Sequence, residues 1–210
     1  MFSKLTKALA LASAFALASS GAQAVTVQSI AYGTADLDAL SVIANPAATS
    51  TTIGTRNRSG VYEGVTRNSR RRYRSPWADA SRPKFRTATF TAVRDSTAVY
   101  EFGADQIGLS MLWGSTGRRD VLTLFNDGVR VGRIRPGVAN PGSDTVSLNG
   151  NGAYFVTITD VVFDSLRFSN RRGTFEFANL QVIPAVPLPA GGVLLLTALG
   201  AIGLMRRKRG

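Results

Sequence analysis

The chain has 210 residues, with 25 cations against 13 acidic residues and neither cysteine nor histidine. That composition excludes disulfide staples, Cys/His zinc sites and every Ser-His or Cys-His nucleophile, so stability must come from the core itself. Six of the cations (Lys4, Lys7, Arg206, Arg207, Lys208 and Arg209) lie at the two ends, which leaves 19 against 13 in the middle.

Lys4 and Lys7 precede a small, apolar run, ALALASAFALASS, that closes on Ala22-Gln23-Ala24. A charged head, a short apolar stretch and an A-x-A exit describe a secretory signal peptide over residues 1–24. Signal peptidase is expected to read Ala22 and Ala24 and to cut after Ala24, following export through the Sec machinery. The run is shorter than the ~20 residues of a spanning helix, which argues against an uncleaved anchor. Residues 25–184 suffice for one exported domain with its own core.

Within that domain the first strand expected is VTVQSIAYG (25–33). Residues 34–83 differ from what surrounds them. They begin small and polar, and residues 56–86 then hold ten cations in 31 positions. They read as long basic loops laid over a core rather than a second domain.

Short apolar runs rich in Val, Phe, Thr, Tyr and Ile follow: KFRTATFTAV (84–93), TAVYEFG (97–103), QIGLSMLWG (106–114), DVLTLF (120–125), VRVGRI (129–134), AYFVTITDVVF (153–163), SLRFS (165–169) and GTFEFANLQVI (173–183). Several alternate apolar with polar, as half-buried strands do. Asn126-Asp127-Gly128 reads as a hairpin turn, because Asp-Gly tolerates positive φ, and Asn149-Gly150-Asn151-Gly152 reads as another turn. In the last run Phe175 and Phe177 share a face while Leu180 and Val182 fall on the opposite parity, so a bulge is expected at Ala178-Asn179. No helical periodicity of useful length is seen in the domain. The predicted fold is all-β, an antiparallel β-sandwich of jelly-roll type, flanked by an N-terminal signal helix and a C-terminal transmembrane helix.

The densest candidate for binding is Arg70, Arg71, Arg72 and Arg74 around Tyr73, with Trp77 close behind. Guanidinium groups pair bidentately with carboxylate, sulfate or phosphate, and the rings can stack on sugars. Acidic exopolysaccharide is the first partner considered, against a plain solvated loop. No nucleic-acid reading module accompanies the charge, so no specific nucleic acid is expected. Carboxylates are the only route to conventional acid/base work, and Asp120, Asp127, Asp160, Asp164 and Glu176 are the ones in or beside strands. A pair at ~5–10 Å would suit glycosidic hydrolysis, the enzymatic alternative to a protein without catalytic residues. Ca2+ needs only oxygen ligands, but no D-x-D-x-D-G loop is present, so no cofactor and no metal ligand is assigned.

The chain closes on VPLPAGGVLLLTALGAIGLMRRKRG, residues 186–210. Residues 188–205 carry no charge and measure about 27 Å as a helix at ~1.5 Å per residue, barely enough to span a membrane. Arg206, Arg207, Lys208 and Arg209 would stop transfer and stay on the cytoplasmic side. Taken alone, the pattern allows a permanently membrane-anchored surface protein. Val186-Pro187-Leu188-Pro189-Ala190, an apolar helix and a terminal basic cluster, in that order, resemble the PEP-CTERM sorting signal in its VPLPA variant.

The resemblance implies recognition by exosortase, a membrane-embedded cysteine transpeptidase that cuts near the Pro-containing motif. It implies transient residence in the inner membrane of a Gram-negative bacterium, through the C-terminal helix, and then the cell surface or extracellular biofilm matrix. Residues 185–210 would be this signal. More loosely, Tyr73-Arg74-Ser75-Pro76-Trp77, Leu112-Trp113-Gly114-Ser115 and the stretch from Phe163-Asp164-Ser165 to Phe175-Glu176-Phe177 resemble β-sandwich surface proteins that carry it. Where those read W-G-S-x-D-x-Y-N, this chain has Trp113-Gly114-Ser115-Thr116-Gly117-Arg118-Arg119-Asp120. Where they carry Asp-Asn in the last strand, it has Ala178-Asn179. Both departures remove groups that would hold calcium or sugar.

Overall fold

The computed structural model describes residues 25–69, 72–137 and 153–185, and among these the chain is almost entirely antiparallel β-sheet. Eight strands are present: β1 (Thr26–Tyr32), β2 (Ser50–Ile53), β3 (Gly60–Val65), β4 (Phe90–Gly114), β5 (Asp120–Asn126), β6 (Val129–Ile134), β7 (Ala153–Thr159) and β8 (Phe163–Pro184). They are hydrogen-bonded in the order β1-β7-β4-β8-β5-β6, with β2 and β3 both added to β4. The all-β expectation is met. The Asp127-Gly128 turn joins β5 to β6 with φ of 49° and 74°, the left-handed pair that a tight hairpin demands.

Strand boundaries differ from the sequence reading, most of all by fusion, although the run at 153–163 is divided between β7 and the start of β8. The runs at 97–103 and 106–114 are not separate strands but parts of β4, and the runs at 165–169 and 173–183 are both parts of β8. Gly103 (φ 66°) marks the interruption inside β4, and the side-chain amide of Gln106 donates to the Ala104 carbonyl there. The two long strands therefore meet twice. Thr91 to Glu101 pairs with Phe177 to Ser165, and Gly108 to Gly114 pairs with Ile183 to Glu176. Turn residues punctuate a chain without ending a strand when hydrogen-bonding partners exist on both sides of the break.

The expected bulge is present. Ser110 pairs with Gln181 but Leu112 with Ala178, leaving one extra residue on β8, and Asn179 has φ 53°. Two asparagines satisfy the backbone around it. Asn179 accepts from the Ile43 N–H (2.8 Å) and donates to the Ser41 carbonyl (2.6 Å). Asn45 accepts from the Leu180 N–H (2.9 Å) and donates to the Phe177 carbonyl (3.1 Å). The segment around residues 41–45 thus stands in for a strand beside the bulge.

Side-chain alternation divides the apolar residues into two clusters. The main core holds Tyr100, Met111, Trp113, Leu122, Ile158, Phe163, Phe168, Phe175 and Phe177 with their neighbours. Its centre is a chain of rings: Trp113 stacks on Phe175 (4.3 Å between centroids), Phe168 stacks on Phe177 (4.1 Å), and Phe175 and Tyr100 meet Phe168 edge-on. The second cluster, with Leu37, Trp77, Phe85, Phe90, Leu112 and Ala178, lies on the opposite side of β4 and β8.

Residues 34–83 correct the expectation of long loops, since β2 and β3 form there against β4. A six-residue helix, α1 (Thr34–Ala39), also forms without the longer periodicity that would announce it. Asp36 accepts from the Gly33 N–H at its start (3.0 Å), and Leu37 is fully buried beneath it. Asp38 binds the Ser81 hydroxyl and the N–H groups of Ser81 and Arg82, tying the basic segment down. A one-turn 3-10 helix, Pro83–Arg86, takes residues expected to begin a strand, because Pro83 sets its first turn.

Candidate anion-binding groove

In the segment expected to contact a polyanion the aromatic residues pack, while Arg72 and Arg74 are exposed. Trp77 is only 3% exposed and stacks on Phe85 at 4.9 Å, which corrects its assignment to a binding surface. Tyr73 lies between Tyr62 (5.2 Å) and Phe90 (5.7 Å). Arg74 donates to Asp79 at 2.7 Å, and the Arg72 carbonyl accepts from Arg94 and Thr174 while its guanidinium lies over the Tyr62 ring. Arg70 and Arg71 lie outside the described residues. The physical reason is that an aromatic residue inside a basic run still gains more from burial than from solvent.

The cationic site that the structure does build lies elsewhere. A groove of about 770 Å³ is lined by Arg118, Arg119, Arg130, Arg133, Arg135, Arg167 and Arg171, with Val121, Thr123, Phe125, Val129 and Ser169. Among the described residues no carboxylate lines it, and none of the seven arginines is in an ion pair.

Strand alternation explains the gathering. Leu122 and Leu124 of β5, Ile134 of β6, and Leu166 and Phe168 of β8 point into the main core. Their neighbours Val121, Thr123 and Phe125, Arg133 and Arg135, and Arg167, Ser169 and Arg171 therefore share the outer face. The register places Thr123 between Arg133 on one side and Arg167 on the other. The Arg167 guanidinium lies over the Phe125 ring at 4.7 Å, which orients it while the residue stays exposed. The Nε of Arg135 is buried without a hydrogen-bond partner among the described residues.

Seven guanidiniums in one concavity, none in an ion pair among the described residues, raise the local positive potential and attract anions ahead of contact. The arrangement supplies fixed forks suited to carboxylate, sulfate or phosphate.

The five carboxylates singled out from the sequence lie in separate places: Asp127 with Asp164, Asp160 by itself, and the buried Asp120 and Glu176. Asp127 and Asp164 meet at the β5–β6 turn, where Asp164 accepts from the Asp127 N–H at 2.6 Å. Asp160 accepts from the Thr159 hydroxyl at the end of β7. Asp120 and Glu176 are the buried pair, 0% and 3% exposed.

Asp120 shares the inward parity of Leu122 and accepts from the Gly117 N–H (2.8 Å), the Asn170 amide and the Trp113 indole (3.4 Å). Burial pushes its carboxyl up to about 7 against those hydrogen bonds. Glu176 has the opposite parity to Phe175 and Phe177 and accepts from the Arg74 N–H at 3.0 Å, while its Oε2 has no partner among the described residues. Burial pushes it up to about 8, with the Asp120 charge adding to the rise and the Arg74 N–H and Arg94 pulling it down. The two carboxyls sit on strand positions of opposite parity relative to the main core, yet the Asp120 charge still acts on Glu176. Among the described residues no group of three or more acidic side chains could hold a metal ion.

No protein-family model, no curated protein and no solved structure matches this chain. The sorting residues Val186, Pro187, Leu188, Pro189 and Ala190, the stop-transfer residues Arg206, Arg207, Lys208 and Arg209, and the cleavage residues Ala22 and Ala24 lie outside the described residues. Among the described residues no helix is long and apolar enough to cross a membrane.

The groove was missed because cation density was read along the chain. Its signal was period-2 placement inside strands, Arg133 with Arg135 and Arg167 with Arg171, which puts charge on one outer face.

Proposed function

We propose that this chain is an exported, non-enzymatic surface or matrix protein that holds an anionic polymer in the arginine groove. We read the eight-stranded antiparallel sheet as a jelly-roll-like sandwich, a reading supported by the double pairing of the long strands β4 and β8. Export rests on the signal peptide ending at Ala24, and sorting by exosortase rests on the tail from Val186 to Arg209. Association with exopolysaccharide or biofilm is the setting in which such a groove meets a polyanion. The observation that carries the binding reading is the set of seven arginines unopposed by any carboxylate among the described residues. A hydrolase is the second reading, and it would need Asp120 and Glu176, whose charges interact, to open together into one cleft at ~5–10 Å.

Binding of the exported protein to an acidic exopolysaccharide tests this. Raising ionic strength from about 0.05 to about 0.5 M should weaken it strongly, as the Debye length shrinks several-fold. Replacing Arg133, Arg135, Arg167 and Arg171 by Gln should cost at least about 100-fold, equivalent to roughly 0.7 kcal/mol per arginine. Arg72→Gln with Arg74→Gln should change affinity less than about three-fold, because one guanidinium is over Tyr62 and the other on Asp79. Unchanged affinity in the quadruple variant would sink the groove as the site.

Sorting is tested separately by the intact mass of protein recovered from an exosortase-containing host. A product ending near Pro189 is expected, and one ending at Gly210 would leave a permanent anchor.

A further inference from the structure

Resting on the reading that the groove holds a polyanion, we infer that its ligand is a single linear chain of acidic sugars lying along the strands, with carboxylates engaging two parallel rows of arginine. One row belongs to β6 and its end, Arg130, Arg133 and Arg135, and the other to β8, Arg167 and Arg171. Val121, Thr123 and Phe125 of β5 form the floor between them. Because Thr123 pairs with Arg133 and with Arg167, the rows stand two strand spacings apart, about 10 Å. From Phe125 to Arg119 the trough runs six residues, about 20 Å at ~3.3 Å per residue. A compact anion would reach one row and leave the other unused. A chain with charge on both sides, longer than it is wide, uses both.

The floor narrows the chemistry further. Val121 offers an apolar surface, Thr123 and Ser169 offer hydroxyls, and the one aromatic ring, Phe125, has a face taken by the Arg167 guanidinium. Single-stranded nucleic acid gains its affinity from successive bases stacked on several aromatic faces, and among the described residues the groove has one ring, with a face already taken. An extended acidic peptide gains from main-chain pairing at a sheet edge, whereas the floor strand β5 is already paired on both sides, to β6 and to β8. Sugar rings need neither. Their C–H faces can rest on Val121, their hydroxyls can meet Thr123 and Ser169, and their carboxylates can take the guanidinium forks.

The exported protein should be titrated with size-fractionated polygalacturonate, a linear uronic-acid chain, alongside oligo-dT and poly-glutamate of matched charge and a sulfated glycan of matched length. Affinity for the uronate should rise with each added sugar until the trough is spanned and then level off. It should exceed that for oligo-dT and poly-glutamate at least ten-fold. Arg133→Gln with Arg135→Gln, and Arg167→Gln with Arg171→Gln, should each lower it at least ten-fold with the thermal midpoint unchanged. If oligo-dT or poly-glutamate binds equally well, or only one row matters, the linear-sugar inference falls while the polyanion reading stands. Preference for the sulfated chain overturns the carboxylate assignment. If no polyanion responds to either row, both fall together.

Discussion

Truncating Phe168 to Ala should cost about 3–5 kcal/mol and lower the melting midpoint by roughly 10–15 °C. Phe168 is fully buried at the centre of the ring chain, stacked on Phe177 at 4.1 Å and met edge-on by Tyr100 at 5.5 Å and Phe175 at 5.3 Å. Removing it empties a space that three rigid neighbours cannot close, so a cavity penalty adds to the lost transfer energy, and each ring pair forfeits about 0.5–1.5 kcal/mol more. With no disulfide possible in the chain, nothing else compensates, and a domain of this size has only about 5–15 kcal/mol to lose. Phe168→Leu should fall between the two because it refills most of the volume. Ile53→Ala, at a side chain 67% exposed, should leave the midpoint nearly unchanged. Thermal denaturation of the three variants checks this, and equal midpoints for Phe168→Ala and Ile53→Ala would mean that the rings are not the core.

The second large effect is on pH dependence, and its sign is opposite to that of an ordinary salt-bridged acid. Burial raises Asp120 to about 7 and Glu176 to about 8, well above their values in an unfolded chain. Below about pH 4 both states carry the protons and neither group affects stability. As pH rises from about 4 to about 8, the unfolded chain loses its protons while the folded chain keeps them. The unfolded state then binds fewer protons, so stability falls through this window, by a few kcal/mol in total, and levels off above it.

Glu176→Gln keeps the acceptor for the Arg74 N–H and removes a charge whose second oxygen has no partner among the described residues. It should therefore stabilise the protein by a few kcal/mol near pH 8.5 and by almost nothing at pH 4. Asp120→Ala should destabilise at every pH, because it strands the Gly117 N–H, the Asn170 amide and the Trp113 indole. Urea midpoints of the parent and both variants between pH 4 and 9 provide the test. A parent curve that rises with pH, or a Glu176→Gln curve parallel to it, would refute the assignment.

Particular residues show where sequence reasoning reached and where it stopped. The Asp127-Gly128 hairpin and the bulge at Asn179 were legible because each is a local demand, for a left-handed turn in one case and a parity slip in the other. Strand content was legible for the same reason, since alternation is written within a few residues. The fusion of the run ending at Val93 with those at 97–103 and 106–114 into β4, and of the runs at 165–169 and 173–183 into β8, was not. It depends on partners up to 86 positions away, as in the pairing of Thr91 with Phe177. Trp77 gave the clearest misreading. Its neighbours are cationic, but its surroundings are Phe85 and the rest of the second cluster, which only folding brings to it.

What the sequence by itself determined is therefore chemical and local. It set an all-β chain without cysteine or histidine, with turns where positive φ is needed. The tertiary structure decided which cations matter. Arg118, Arg133 and Arg167 belong to three separate stretches, and none of those stretches is the densest in charge. They meet because β5 pairs with β6 on one side and β8 on the other, while alternation turns their apolar neighbours into the core. Charge along a chain measures only composition. Charge on a face is set by register, and register is fixed by burying Leu122, Ile134 and Phe168 together.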